Sequence, residues 1–308
     1  MLSREVSGLN MLELKNGSLM SVKDPYGLSP IWDGCIEVYL EFARVCDKHH
    51  LRYYVTDGNA LGAVRHNGFI PWDDDLDVSM PRPDYERFAE LANRELPQHL
   101  KFVDWHNTKS FNRLFGKIQD TRMERIAEIE SKIGHMLSNG NFIDIFPIDG
   151  YPDSIWQRFK LRFIMFFLNP LSRFRLSQFR IQSTKGKIVW IVGAILSVLI
   201  PSWRSRSALL SKLESELRRY SYERSKMTGR ACSRVSVIYR PSVPKSAWGD
   251  GQMMEFYGIE VPLPSDYDAY LTSEYGDYKT PPPADKQHPT HWYNYRSPWW
   301  LGPDSGGC

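Results

Sequence analysis

The sequence predicts an α/β protein of the α+β kind: a mixed sheet with flanking helices, interrupted by a basic helical insert. Three observations carry that prediction. Short strand-like apolar runs alternate with stretches of helical period over most of the chain. Apolar residues make up 42% of the 308, enough for a sizeable core in one large domain or two small ones, and too many for a disordered chain. The charge is also uneven. Residues 157–219 hold 13 Lys and Arg against two acids, Glu214 and Glu216, so a net charge of +3 divides into +11 for that segment and −8 for the rest. An acidic body and a basic insert suit different partners.

Ser29-Pro30 reads as a helix N-cap followed by proline at the first helical position. Ile36, Leu40, Ala43 and Asp47 follow at helical spacing, and the helix should end near His50. LRYYVT, residues 51–56, reads as a strand. Asp57-Gly58-Asn59 reads as a turn, and ALGAVRH as a short helix stopped by Asn67-Gly68. LDVSM, residues 76–80, is a second strand, and Pro83 opens a helix through DYERFAELANREL. KFVDW, LFGKIQD and NFIDIF read as further strands. After Ala231 come short strands again, in RVSVIY and MMEFYGIEVPLP. A helix follows in DYDAYLTSEYG, then a proline turn with an H-x2-H pair, and GPDSGGC forms a loose tail. The divisions are residues 1–28, an N-terminal segment; 29–153, the core; 154–230, the insert; 231–300, a second part of the core domain; and 301–308, the tail.

The insert contains two apolar runs, FIMFFL at 163–168 and IVWIVGAILSVLI at 188–200. The second has 13 residues, whereas a spanning helix needs about 20. Basic residues edge both runs: Arg158, Lys160, Arg162, Arg173, Arg175, Lys185, Lys187, Arg204 and Arg206. This pattern suits a bilayer surface with anionic headgroups; the plainer alternative is a helical subdomain with solvated cations. Cys35, Cys46, Cys232 and Cys308 form no CxxC pair, which argues against zinc or a disulfide framework and for a reducing compartment. The N-terminal 20 residues show no apolar stretch of the signal-peptide kind. Nucleic acid is not an expected partner.

The densest feature is FIPWDDDLDVSMP, residues 69–81. On an extended chain Asp73, Asp75 and Asp77 share one face, with Asp74 opposite. Such a set needs arginines, protons or a hard divalent cation to neutralise it. An EF-hand is excluded, because that loop needs glycine where Val78 stands and glutamate where Asp84 stands. A solvated acidic turn does not explain the interleaved Leu76, Val78 and Met80. A DxD glycosyltransferase site stays open. A nucleotidyltransferase-type site needs more parts, in order. A small-residue turn opens a helix whose amides cradle phosphate, a strand carries two carboxylates one residue apart, and a later strand supplies a third. Gly58-Asn59, then Asp75 and Asp77, then Asp144 in FIDIF meet that order. Phosphoryl transfer develops charge on phosphate oxygens, which carboxylate-held metal neutralises. Asp144 is either a metal ligand or the base for the acceptor hydroxyl.

The stretch DGNALGAVRHNGFIPWDDDLDVSMPRPDYERF resembles the signature of the LicD family of phosphotransferases, whose relatives include fukutin and fukutin-related protein. FGKIQD, FIDIFPIDG and YGIEVPLPSDYDAYLTSEYGDYKTPPP add to the resemblance. It covers about residues 29–151 and 234–291 and leaves out the basic middle segment. It implies a nucleotidyltransferase-like fold and Mg²⁺ (or Mn²⁺) dependence. It implies transfer of a phospho-substituent from a CDP-linked donor, such as CDP-choline or CDP-ribitol, to a hydroxyl of a cell-surface or lipid-linked glycan, with release of CMP. The acidic block maps to Asp73, Asp75 and Asp77, with Asp75 and Asp77 as the expected metal ligands; the resemblance does not settle the base, for which Asp144, also counted in the metal set, is the expected residue. Gly58 maps to the glycine turn, and Asn59 stands where Ser or Thr is more usual.

Four residues are expected at the donor phosphates: Gly58, Asn59, Arg65 and Lys117. For Arg65 the competing role is a salt bridge to Asp73 or Asp74; for Lys117 it is a pair with Asp120 or a neighbouring carboxylate. Arg122 is a weaker candidate. Trp72, Tyr53, Tyr54, Trp105 and Tyr275 are available to cage a trimethylammonium group, against an ordinary core role for each. His288 and His291 lack the further ligands a zinc site needs. The expected setting is peripheral, at the cytoplasmic face of the membrane. The rivals are a glycosyltransferase using a sugar nucleotide and a non-catalytic glycan- or membrane-binding relative.

Overall fold

Helix α1 (Ser29–Lys48) buries one side, Ile31, Trp32, Cys35, Val38, Tyr39, Phe42, Val45 and Cys46, at helical spacing. Its first turn is held by the Asp24 carboxylate, which accepts from the amides of Leu28 and Ser29. The cap therefore lies upstream of Ser29, and Pro30 is the second helical residue. This computed structural model describes residues 24–122, 126–127, 141–173, 203–230, 240–287 and 293–294. His288, His291, Cys232, Cys308, the run at 188–200, RVSVIY and the tail lie outside the described residues.

After α1 come strand β1 (Tyr54–Val55), helix α2 (Asp57–His66), strand β2 (Leu76–Pro81), helix α3 (Arg82–Glu95) and strands β3 (Leu100–Val103) and β4 (Gly116–Asp120). Then come β5 (Ile126–Ala127), β6 (Phe142–Tyr151), helices α4 (Ile155–Arg173) and α5 (Trp203–Arg218), and strands β7 (Met227–Arg230) and β8 (Arg240–Pro244). Strands β9 (Gln252–Phe256) and β10 (Ile259–Leu263), helix α6 (Tyr267–Tyr275) and β11 (Tyr293–Asn294) complete the described order.

The main sheet has seven strands. The path β1-β2-β6-β4-β3 is extended by β7, which pairs β6, and by β8. β2 and β6 run parallel, and the other pairings are antiparallel. The expected α+β class, with a mixed and largely antiparallel sheet, is the observed one. β6 is the axis. Its first half lies between β2 and β4, and its second half pairs β7. Pro147 falls between the β4 pairing, which ends at Ile145, and the β7 pairing, which begins at Ile148. A residue without an N–H is tolerated at such a handover.

The residues marked off as an insert, 154–230, run too far by one strand. Met227–Arg230 is a full member of the sheet, paired to residues 148–151 of β6. The helical part, α4 and α5, packs through Leu161, Met165, Leu210, Leu213 and Leu217 onto Tyr151 and Trp105. A buried ionic network ties it down. Arg82 donates to both oxygens of Asp149 at 2.7 and 2.6 Å, and its other nitrogen lies 3.3 Å from Glu214 of α5. Burial alone would raise the Glu214 carboxyl, but the His106 hydrogen bond and the Arg82 and Arg218 charges hold it below its usual range. Among the described residues, no helix is long and apolar enough to cross a membrane.

Candidate functional site

The acidic loop sits where β2 begins, and three local devices put it there. Trp32 of α1 donates its indole N–H to the Asp73 carbonyl at 2.8 Å. The Asp73 amide donates to the Ile70 carbonyl, closing a turn. Asn59, fully buried on α2, accepts from the Asp77 amide at 2.7 Å and donates to the Asp75 carbonyl at 2.9 Å. The carboxamide thereby clamps the chain on both sides of Leu76. Both of its ends are engaged with backbone, so Asn59 acts here by holding the acid-bearing strand in place.

Regular strand begins only at Leu76. The alternation expected from Asp73 onward therefore does not hold before that residue. Asp74 is not segregated to an opposite face: carboxylate oxygens of Asp73, Asp74 and Asp75 lie within 4.8 Å of one another. From Leu76 the alternation does hold. Leu76, Val78 and Met80 enter the core, while Asp77 and Ser79 occupy the other face.

The sheet register then assembles the rest. Asp77 is level with Asp144 on β6, and Asp144 is level with Lys117 on β4. Residues level across neighbouring strands share a face, so Asp77, Asp144 and Lys117 form one row over three strands. Lys117 is buried, with Nζ 3.2 Å from Asp144 Oδ1 and 3.3 Å above the Phe142 ring. Of the two roles expected for it, this structure displays the carboxylate pair, and the partner is Asp144 rather than Asp120. Asp120 instead receives Arg122.

Two residues not anticipated from sequence complete the cluster. Asp57 opens α2 with φ of 54°, in the left-handed region that non-glycine residues seldom occupy. Its amide donates to the Tyr270 hydroxyl oxygen. Its carboxylate takes both terminal nitrogens of Arg230, at 2.6 and 2.8 Å. Arg230 is buried, also donates to Ser79 Oγ at 3.0 Å, and lies 3.4 Å from Glu274. The expected glycine turn is thus a strained Asp57 followed by a helical Gly58. What Gly58 permits is close approach: a Cβ there would stand 2.2 Å from Asp73 Oδ2. Asp73 therefore lies against the first turn of α2, where the helix dipole favours negative charge.

Burial raises the Asp77 carboxyl well above its ordinary value, and the charges of Asp75, Asp57, Asp144 and Asp73 add to the rise. Asp73 is raised likewise, by burial, then by Asp75 and Asp74. Asp144 Oδ1 is buried and accepts no hydrogen bond. The donor set is oxygen throughout, anionic and hard, which fits Mg²⁺ or Mn²⁺ and not a soft metal. Among the described residues, the carboxylates near enough to one another to share an ion are those of Asp73, Asp74 and Asp75.

Arg65 is half-buried and has no ion-pair partner among the described residues, and its Nη2 is buried without a hydrogen bond. Burial lowers its pKa. It lies two helical turns beyond Gly58, on the side of α2 that abuts Asp73. Of the aromatic candidates, Tyr54 and Trp105 pack in the core, and Tyr53 and Trp72 pack against it. Tyr275, at the end of α6, is 43% exposed; partial burial and the charges of Asp57, Asp73 and Asp77 are among the causes that raise its phenol.

Comparison with known proteins identifies a matching family and several similar relatives. The family described as LicD/FKTN/FKRP, nucleotidyltransferase domain, matches residues 50–183. That span holds Asp57, the whole acidic loop, Lys117 and Asp144. It also reaches into the basic segment that the sequence reading leaves outside the resemblance. The lipopolysaccharide cholinephosphotransferase LicD of Haemophilus influenzae is 27% identical over 262 residues, covering 83% of this chain and 93% of that protein. An uncharacterised protein of Rickettsia prowazekii is 30% identical over 100 residues, 32% of this chain and 35% of its own length.

Proposed function

We propose that this chain, which matches the LicD/FKTN/FKRP nucleotidyltransferase-domain family over residues 50–183, is a phosphotransferase with a nucleotidyltransferase-like core. It moves a phospho-substituent, phosphocholine or a phospho-polyol, from a CDP-linked donor to a glycan hydroxyl. The observation that supports this reading most is the Asp77–Asp144–Lys117 row beside the Asp73–Asp75 loop, inside the matched span. The Haemophilus relative, named for cholinephosphate transfer to lipopolysaccharide, makes phosphocholine and a lipid-carried glycan the first pair to try.

In the reaction, the acceptor oxygen forms a bond to the phosphorus that bears the substituent. The bond from that phosphorus to the bridging oxygen breaks, and CMP leaves with the electron pair. Asp144 takes the hydroxyl proton; Lys117 at 3.2 Å balances the carboxylate charge and keeps it oriented. Arg65 contacts a donor phosphate through its buried nitrogen. Asn59 keeps Asp75 and Asp77 in register. Asp73, Asp75 and Asp77 would hold a divalent cation, Mg²⁺ or Mn²⁺, which when bound would neutralise phosphate charge. The acceptor is lipid-linked, and the enzyme works peripherally at the cytoplasmic face of a membrane.

The test is CMP release by purified protein with Mg²⁺ and a membrane glycolipid extract, supplied separately with CDP-choline, CDP-ribitol and CDP-glycerol. One donor should yield CMP, and EDTA or Asp77→Asn should abolish it while circular dichroism stays native. A fully active Asp77→Asn variant would refute the mechanism. Turnover of a UDP- or GDP-sugar in place of all three donors would replace it with glycosyl transfer.

A further inference from the structure

Helix α4 has two apolar faces, and only one is needed for packing. Leu161 and Met165 are buried against Leu210, Leu213 and Leu217 of α5, which closes the interior of the helical pair. At about 100° per residue, Ile155, Phe159 and Trp156 fall within an arc of about 100° on the opposite side. They are 63%, 62% and 79% exposed. An outward tryptophan and phenylalanine at that exposure are uncommon on a helix already docked on its core. α5, by contrast, turns Lys212, Ser215, Arg218 and Arg219 outward, with Lys212 and Arg219 paired to Glu216.

The charges around the apolar arc point to its partner. By the same helical geometry, Arg162 lies at one edge of the arc and Lys160 at the other. Both are exposed, with no ion-pair partner among the described residues. α4 itself contains no acidic residue. An apolar strip bordered on each side by long basic side chains is the arrangement that lies in a bilayer interface. There the rings enter at the headgroup–acyl boundary while the cations reach lipid phosphates.

We propose that this face of α4 is a docking surface for a lipid bilayer carrying anionic headgroups, with Ile155, Trp156 and Phe159 inserted and Lys160 and Arg162 on the phosphates. The inference deepens the membrane placement proposed above and is independent of the chemistry assigned to the aspartates. It also accounts for why α4 follows directly on β6: the strand that carries Asp144 at one end delivers the membrane contact from the other.

Vesicle co-sedimentation of the full chain tests it. The protein should bind phosphatidylcholine vesicles weakly and phosphatidylcholine–phosphatidylglycerol vesicles at least tenfold better, with added salt reducing the difference. Trp156→Ser with Phe159→Ser should lower the partition coefficient at least tenfold without moving the thermal melt, because both rings are exposed. Lys160→Glu with Arg162→Glu should remove the preference for the anionic lipid. Three results would overturn the proposal. One is no binding by the parent chain, and another is equal binding by the serine double variant. The third is a parent dimer that the double variant converts to monomer, which would make a second copy the occupant. Two controls separate docking from catalysis. The serine variant should keep full transfer to a water-soluble acceptor, and Asp77→Asn should bind vesicles like the parent.

Discussion

Replacing Asn59 by alanine should disable the site by releasing the strand that carries its acids. The carboxamide is fully buried and bridges two backbone groups, the Asp77 amide at 2.7 Å and the Asp75 carbonyl at 2.9 Å. Each buried backbone group left without its partner costs about 1–3 kcal/mol, so Asn59→Ala, which strands two, should lose about 2–6 kcal/mol. Domains commonly have about 5–15 kcal/mol to lose, so the variant still folds at 25 °C. Urea unfolding followed by circular dichroism reads the stability, and CMP release reads the placement of the acids. Displacements of about 1 Å in a catalytic group cost about 10²-fold in rate, and kcat should fall on that scale. Asn59→Thr retains one hydroxyl, able to serve one of the two backbone groups, and should lie between. If Asn59→Ala unfolds within about 0.5 kcal/mol of the parent, the clamp contributes no stability. If it is destabilised yet turns over normally, the link from clamp to catalysis is refuted.

Arg82→Ala leaves the buried Asp149 without its bidentate partner and should cost about 3–5 kcal/mol, read by the same urea titration. His106 Nε2 lies 3.0 Å from Glu214, and that hydrogen bond raises the imidazole pKa above 6.5. A group raised on folding contributes stability that is complete below its unfolded pKa, about 6.5, and lost as pH rises through the folded value. The difference in urea midpoint between parent and His106→Gln should therefore shrink from about pH 6 to pH 8; a constant difference would refute the pair. Mg²⁺ at about 100 times its dissociation constant should stabilise the parent by about 2.7 kcal/mol. The thermal shift should vanish on EDTA addition and be much reduced in Asp77→Asn.

Much of the fold is legible because its long elements state their period. α1, α3 and α6 carry helical spacing with a cap or a proline at the start, and β2 alternates cleanly from Leu76 to Met80. β7 is not legible. MTGR has no apolar pattern; it is a strand because Thr228 and Arg230 find partners elsewhere. Trp248 donates to Thr228 Oγ1 at 2.9 Å, and that hydroxyl donates to the Val243 carbonyl at 2.8 Å. A polar strand whose side chains are satisfied by distant residues carries no local signal. The start of α2 was also hidden, since Asp57-Gly58 is turn chemistry in isolation and becomes helical here under Arg230 and Tyr270.

The same distinction separates the parts of the site. The acids at 73, 75, 77 and 144 announce themselves, because charge interleaved with apolar strand residues has few structural uses. Asp57 and Arg230 do not, being 173 positions apart and joined only by the fold. Yet these two shape the electrostatics of the cluster. Lys117 holds Asp144, and Arg230 holds Asp57, so the flanking carboxylates each have a buried cation. Burial and neighbouring carboxylates raise the carboxyls of Asp73 and Asp77 well above their ordinary values. On the proposed function, neutralising the flanks and leaving the centre repulsive would concentrate the demand for positive charge where the donor phosphates bind. A cluster paired off throughout would be more stable and would have no reason to bind a cation.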